Sequence, residues 1–402
     1  MDNKIIGGVL LVAGTTIGAG MLALPVSTGL AGFVPSVVLF LGYWIFMTYT
    51  ALLLLEVNLW MDDHANLISM ARRTLGSGGA AVSWVVYLFL LYSLTTAYLA
   101  GSGPIVIDVV KSLSGYSMPL WSGAIPLLAI FGYFVYKGTK SVDFVNRLLM
   151  IGLVIAFAAM IFYLTPHVDS KLLQHSQWRD LLIGVSVVAT SFGFHIIIPS
   201  LTTYMHRDIY SLVKTILIGS SIPFAVYVIW EYLTLGIIPI EGPNGIKEGY
   251  ISGANGAHLL SNILGNSVIA MIARFFAFFA IVTSFLGVSL SLSDFLADGF
   301  KIKKNTRTGR VLLFLMTFVP PLLFTLTDPR AFLSALEYAG AFGVVILLGF
   351  MPALMVWWGR YHKNYSSLFK VPGGKPALLL IMLASSLVVG IEILTKLGYI
   401  NP

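Results

Sequence analysis

The chain has no cysteine, which excludes disulfides, thiolate metal sites and cysteine nucleophiles and leaves the redox compartment unreadable. It is also poor in charge: Asp, Glu, Lys and Arg supply 10% of its 402 residues, against about 25% in soluble domains. Long polar stretches are missing too, since none approaches the ~50 residues that even a small soluble domain needs. What is abundant is apolar, with 57% hydrophobic residues and a mean hydropathy of +0.90. So few charges cannot cover a water-exposed surface of this size, and a water-soluble fold is excluded. The chain reads as one polytopic, all-α membrane domain. Its 24 basic and 17 acidic residues leave a net charge of +7. That excess would point to nucleic acid only if the basic residues shared one soluble face.

Apolar runs of ~17–25 residues between polar breaks mark membrane helices, and eleven are found. They begin near Ile5, Val34, Ala80, Leu120, Asn146, Leu181, Ser211, Asn266, Val311, Ala331 and Pro376. They end near Leu30, Met61, Val110, Tyr136, Leu164, Tyr204, Ile238, Ala297, Thr327, Trp357 and Leu397. A strand barrel needs ~10-residue alternating segments, and Leu52-Leu53-Leu54-Leu55 does not alternate. The first run continues past Pro25 without a small-x-small cleavage site, so it is expected to stay as a helix and not to be removed as a signal peptide.

Basic residues set the orientation. With the N-terminus inside, 17 lie in inner segments: Lys4; Arg72, Arg73; Lys137, Lys140, Arg147; Arg207, Lys214; Lys301, Lys303, Lys304, Arg307, Arg310; Arg360, Lys363, Lys370, Lys375. Six lie outside, namely Lys111, Lys171, Arg179, Lys247, Arg330 and Lys396, and Arg274 falls within a span. By the positive-inside rule the N-terminus is cytoplasmic and, after eleven spans, the C-terminus is on the opposite side. The basic loops are topology signals beside anionic lipid headgroups. No nucleic-acid partner and no obligate protein partner are inferred.

Two spans are interrupted at the depth where a helix is normally most regular. Span one carries Gly14-Thr15-Thr16-Ile17-Gly18-Ala19-Gly20 and then Pro25; span six carries Thr190-Ser191-Phe192-Gly193-Phe194-His195 and then Pro199. The two are five spans apart, as the first helices of two five-helix halves would be. An odd number of spans per half inverts the second half relative to the first. Unwound backbone at membrane depth is tolerated where it lines a cavity, and paired interruptions in corresponding helices mark the binding site of inverted-repeat transporters.

The motifs GTTIGAGMLALP from Gly14, TSFGFH with the following IPS in span six, VTSFLGVSLSLSDFLAD from Val282, the YAG of span ten and GGKPA before span eleven resemble the tyrosine and tryptophan permeases. These are the hydroxy and aromatic amino acid permeases of the amino acid, polyamine and organocation superfamily. The resemblance implies a leucine-transporter-type 5+5 inverted-repeat core over residues 1–357, with halves 1–165 and 181–357, plus a peripheral eleventh helix at 376–398. It also implies ion-coupled uptake of an aromatic amino acid, tyrosine favoured, across the bacterial inner membrane.

An amino-acid zwitterion needs a partner for each charge, and no pair of opposite charges sits at the breaks. The half-helix that starts after the first break points N–H groups at a carboxylate; Thr15, Thr16, Gly18, Ala19 and Gly20 are placed there. The half-helix that ends at the second break offers carbonyls to the ammonium, from Ser191, Phe192 and Gly193. For the side chain, span three sets Tyr92, Thr95, Thr96, Leu99 and Gly103 on one helical face. Span eight adds Phe275, Phe276 and Phe279, and span six adds Phe194. Such aromatics also serve as ordinary bundle core. His195, at a break, is a hydrogen-bond partner for the substrate or a proton carrier.

Coupling is expected to use protons; the alternative is a carrier of broader specificity that uses Na+ or no ion, and no other cofactor or metal is expected. Thr283 and Ser284 resemble the hydroxyl pair of the sodium site in sodium-coupled relatives. The resemblance places a lysine in span five where this chain has Leu153, while Glu337 stands before the YAG where a glycine is usual, so Glu337 and His195 are the candidate proton groups. Glu231 and Arg274 are expected to pair as buried charges, Glu56 to meet a cytoplasmic basic residue, Lys4 with Asp294 or Asp298 to form an inner gate, and Asp143, Asn146 and Arg147 to fix a loop. In the leucine-transporter fold that the resemblance implies, the glycine-rich connector from Pro239 to Gly265 corresponds to a lid; a disordered connector is the alternative. An intramembrane enzyme would need a Ser/His, HExxH or paired-Asp constellation. His195 has no second histidine four residues away, and Asp62-Asp63 has no second acidic pair. A channel would need a carbonyl filter or a charged ring.

Overall fold

A computed structural model describes residues 3–61, 65–116, 118–119, 122–265, 267–328 and 330–400. The Asp62-Asp63 pair lies outside the described residues, as do the expected first residues of spans four and eight, Leu120 and Asn266. Among the described residues the chain is all helix, with no strand. Nine helices among the described residues are long and apolar enough to cross a bilayer, and a bent pair makes a tenth. That pair is α1 (Asn3–Thr16) and α2 (Gly20–Thr28), which meet at 55°. The run expected as span four forms a shorter apolar helix, α5 (Ala124–Lys137), of 14 residues.

The other elements follow in order: α3 (Phe33–Leu59), α4 (Leu67–Ser114), α6 (Thr139–Leu164), α7 (Leu181–Ser191), α8 (Ile198–Tyr204) and α9 (Ile209–Leu235). Two short helices, α10 (Ile246–Ser252) and α11 (Gly256–Ile263), occupy the long outer connector. Then come α12 (Ser267–Phe300), α13 (Arg307–Thr327), α14 (Ala331–Tyr338), α15 (Met351–Tyr361) and α16 (Gly374–Lys396). Between α14 and α15 the helix widens to a π-helical stretch, Ala339–Phe350. Within α4 the backbone turns at Gly76, whose φ of 80° is open to glycine. Residues 67–75 therefore form a separate segment before the span itself.

The solvent of the outer surface is legible in α6. Leu149, Leu153, Ala156, Met160 and Leu164 are buried at helical spacing, whereas Ile151, Val154, Ile155 and Phe162 are each more than 60% exposed. Such a stripe is stable only against hydrocarbon. Its buried face packs on α12, and α12 also packs on α4. On the other side of the centre, α1 and α3 lie along α9, and α2 lies along α7. The π stretch crosses α7 so closely that a Cβ on Gly340 would overlap the Ser186 carbonyl. Only glycine permits that crossing.

Buried charges staple the periphery. Glu56 of α3 receives Arg360 of α15 through Nε at 2.7 Å and through a second guanidinium nitrogen, and also the Val371 N–H at 2.7 Å. The basic partner expected for Glu56 is thus Arg360. The expected Glu231–Arg274 pair does not form. Arg274 sits 3.9 Å from Asp108 of α4, because α12 packs along α4, while its contact with the outer half of α9 runs through Phe276 and Trp230. Asp294, expected to gate with Lys4, is bound by Lys304 at 2.8 Å across the turn that follows α12.

Candidate functional site

The two breaks meet at the centre of the bundle. After Thr16 the first helix opens over Ile17, Gly18 and Ala19, and the Ala19 N–H, freed from the ladder, donates to the Ser284 hydroxyl of α12 at 2.9 Å. Gly18 is required there, since a Cβ would come 2.5 Å from Ser284 Oγ. The second break follows Ser191 and is re-formed through a 3₁₀ turn, His195–Ile197, into α8, with Pro199 in its first turn where a missing N–H costs nothing. The carbonyls of both break points are held by one side chain. The Tyr227 hydroxyl of α9 points at Thr16 O at 2.7 Å and at Ser191 O at 2.8 Å. One turn further out, Trp230 Nε1 donates to Met21 O at 2.8 Å.

A cavity of about 630 Å³ opens from this junction toward the end of the molecule that carries the basic loops. Gly14, Thr15, Thr16, Gly18 and Gly20 line one wall, and Thr190, Ser191 and Gly193 another. Thr283, Ser284 and Ser291 of α12 face them, with Tyr87, Leu91, Leu94 and Tyr98 of α4 and Val344 and Leu348 of the π stretch between. Asn146 and Met150 of α6 stand toward the mouth. Among the described residues no charged side chain lines it. The size suits a small molecule, and recognition of charge there falls to backbone dipoles and hydroxyls.

The sequence-derived residues divide accordingly. Thr15, Thr16, Gly18, Gly20, Ser191, Gly193, Thr283 and Ser284 converge on the cavity. Ala19 is buried behind it, bonded to Ser284. The expected face of α4 does not line the cavity: Tyr92 donates to Met316 O of α13 at 2.8 Å and Thr96 donates to Tyr92 O, while Tyr87, Leu91, Leu94 and Tyr98 face the cavity. The proposed aromatic slot is also dispersed. Phe276 stacks on Phe157 and packs on Trp230, Phe279 stacks on Phe275, and Phe192 meets Tyr227 edge-on. Phe194 lies against the His195 ring. His195 is fully buried away from the cavity, with Nε2 2.8 Å from the Thr50 hydroxyl of α3.

Glu337 is likewise outside the cavity wall. It sits at the outer end, 2.6 Å from Lys396 of α16 and 3.9 Å from Arg330. Lys396 also lies 3.5 Å from Glu392, whose other oxygen accepts from Ser186 of α7 at 2.7 Å. Asn146 was missed as a site residue. Its buried Oδ1 has no partner, and its place among loop-fixing charges in the sequence gave no cue.

The outer connector carries a charge cluster of its own. His258 of α11 lies 3.7 Å from Asp108, beside Arg274. Burial pushes its imidazole below the ordinary range, Asp108 opposes that shift and Arg274 adds to it. The Arg330 guanidinium covers the Tyr250 ring of α10 at 4.7 Å.

Comparison with known proteins agrees along the whole length. A model of the tryptophan/tyrosine permease family matches residues 1–392. The chain is 36% identical to tyrosine-specific transport system 1 of Haemophilus influenzae, over 99% of this chain and 98% of that protein. It is 34% identical to a tryptophan-specific transport protein of Pseudomonas aeruginosa, over 94% and 92%. To the low affinity tryptophan permease of Escherichia coli it is 31% identical, over 93% and 92%.

Proposed function

The chain belongs to the tryptophan/tyrosine permease family, and we propose that it imports aromatic amino acids, tyrosine foremost, by secondary active symport with protons. The observation that carries this reading is the uncharged cavity where two broken helices meet. The start of α2 turns N–H groups and a positive dipole end toward a carboxylate. The carbonyl end of α7 suits an ammonium, and the Tyr227 hydroxyl can give its hydrogen to Thr16 O or to Ser191 O and leave the other to the substrate. The aromatic ring then lies among Tyr87, Leu91, Tyr98 and Met150. The unpartnered Oδ1 of Asn146 accepts the phenol O–H or an indole N–H.

Within this reading spans one to five and six to ten form a leucine-transporter-type inverted repeat, and α16 is the added helix. The basic-residue bias sets the N-terminus in the cytoplasm and the C-terminus in the periplasm of a bacterial inner membrane. Sodium is the competing coupling ion. Leu153, buried on the face of α6 that packs on α12, stands where the resemblance places a lysine, and Thr283 and Ser284 are hard oxygen donors. Against that, Ser284 Oγ already accepts the Ala19 N–H.

Purified protein in liposomes tests both points. Counterflow of labelled tyrosine, competed by tryptophan and phenylalanine more strongly than by alanine, is the expected outcome. Ready movement of alanine or leucine without tyrosine would sink the substrate assignment. Imposed proton and sodium gradients then decide the ion.

A further inference from the structure

Glu231 lies on α9 one turn outward from Tyr227, and it is fully buried. Unlike the other buried acids it has no cationic partner among the described residues. Its Oε1 accepts from Thr28 Oγ1 of α2 at 2.6 Å, the Ser36 hydroxyl of α3 is within reach, and Oε2 has no partner among the described residues. The titratable groups on the surrounding elements are turned elsewhere. Tyr227 is bonded to the two breaks, and His175 of the connector before α7 is bonded to Leu30 O. In the outer connector Glu248 is bonded to the Asn244 N–H, while Lys247 is exposed. An ionised carboxylate in such a place costs several kcal/mol, and a carboxyl at membrane depth without a counter-ion is a proton-binding group by chemistry.

The two hydroxyls beside it are suited to both protonation states. Thr28 Oγ1 has a second acceptor, Leu24 O at 2.9 Å, and Ser36 Oγ has Gly32 O at 2.8 Å and Thr28 O at 3.1 Å. When the carboxyl is ionised, both hydroxyls can donate to it. When it is protonated, it donates to Thr28 Oγ1, and the threonine turns its own hydrogen to Leu24 O. No buried donor is stranded in either state. The same face of α9 holds the breaks through Tyr227 and the outer half of span one through Trp230. A change of bonding at Glu231 is therefore transmitted to α2, whose first turn borders the cavity.

We propose that Glu231 is the site of the transported proton, with Thr28 and Ser36 as its hydrogen-bond partners. This rests on the proton-symport reading above. In liposomes, a pH gradient of one unit drives up to about tenfold accumulation of a neutral substrate carried with one proton. Glu231→Gln, which keeps the shape, should bring the accumulation ratio to roughly unity while labelled tyrosine still exchanges. Accumulation by Glu231→Gln equal to the wild type overturns the proposal. If that variant neither exchanges nor accumulates, Thr28→Val decides. Removing the hydroxyl that stabilises the ionised form should move the midpoint of the pH dependence of tyrosine binding to more alkaline values, and an unmoved midpoint overturns the proposal. Failure of the underlying reading looks different: the wild type itself then ignores the pH gradient and answers to sodium.

Discussion

Two regions of the outer half bury glutamate, and their company is opposite. At the rim, Glu337 and Glu392 share Lys396, with Arg330 close by. On α9, Glu231 has only hydroxyls. At the inner end Glu56 matches the first pattern, locked by Arg360. A carboxylate that has its cation beside it is part of the scaffold. One that lacks it is free to exchange a proton within the bundle. The intramembrane acid that stands out in the sequence, Glu337, has its cation, and the one that appears bland, Glu231, does not.

The contrast can be broken from the scaffold side. Arg360→Met strands Glu56 without its cation, and loss of one partner of a buried pair costs about 3–5 kcal/mol. The expected outcome is a large fall in thermal stability in detergent. Arg360→Met with Glu56→Gln should recover most of the loss. No recovery in the double variant would show that packing of the arginine stem, not charge, holds this corner.

At the outer rim the same logic predicts a smaller effect. Lys396→Met leaves Glu337 and Glu392 facing each other with only Arg330, at a cost of about 1–3 kcal/mol for the unpaired group. Adding Glu337→Gln should restore stability, with the coupling read from the double-mutant cycle. If Lys396→Met also abolishes pH-driven accumulation while exchange continues, Glu337 is a proton group after all and the contrast with Glu231 fails.

Tyr227→Phe tests the link between the two breaks. It removes the one hydroxyl hydrogen that the two carbonyls share and leaves a buried acceptor without its donor, which costs about 1–3 kcal/mol. The more informative readout is transport, where KM for tyrosine should move by more than the maximal rate, because the carbonyls that meet the ammonium lose their spacing. An unchanged KM would assign the hydroxyl to stability alone.

How much of this was legible in the sequence follows from what each signal encodes. Both breaks were, because Gly14 to Gly20 and Gly193 with Pro199 disturb a local ladder, and local disturbances are written locally. The glycines and hydroxyls of these segments line the cavity for that reason, whereas Thr283 and Ser284, which line it too, stand out only through the family resemblance. The face of α4 was not. Helical spacing groups Tyr92 with Thr96 and Tyr87 with Tyr98 equally well, and only the packing of α13 against one of these faces chooses between them. Partners of buried charges were illegible in part. Glu231, Arg274 and Asp108 lie at comparable depths, and which two meet depends on the neighbours of α9 and α12. Asn146 was overlooked because a polar residue beside Asp143 and Arg147 reads as an exposed turn, whereas its helix faces the cavity mouth.

The smallest effect is expected where a titrating group has charged neighbours of both signs. His258 on α11 faces Asp108 and Arg274, and α11 rests on Pro25 and Trp230 through Gly256. Burial lowers the affinity of its imidazole for a proton, Asp108 partly restores it, and Arg274 lowers it further. A proton affinity lower when docked than when free means that docking favours neutral histidine. Its contribution is present above the ordinary histidine value of about 6.5 and is lost as pH falls through the docked value. Acidification should therefore loosen α11, seen as faster hydrogen exchange over residues 256–263 after correction for intrinsic rates. His258→Gln should flatten that dependence. Slower exchange at acidic pH would mean that the protonated ring pairs with Asp108, and the lid would then tighten where the proton drive is greatest.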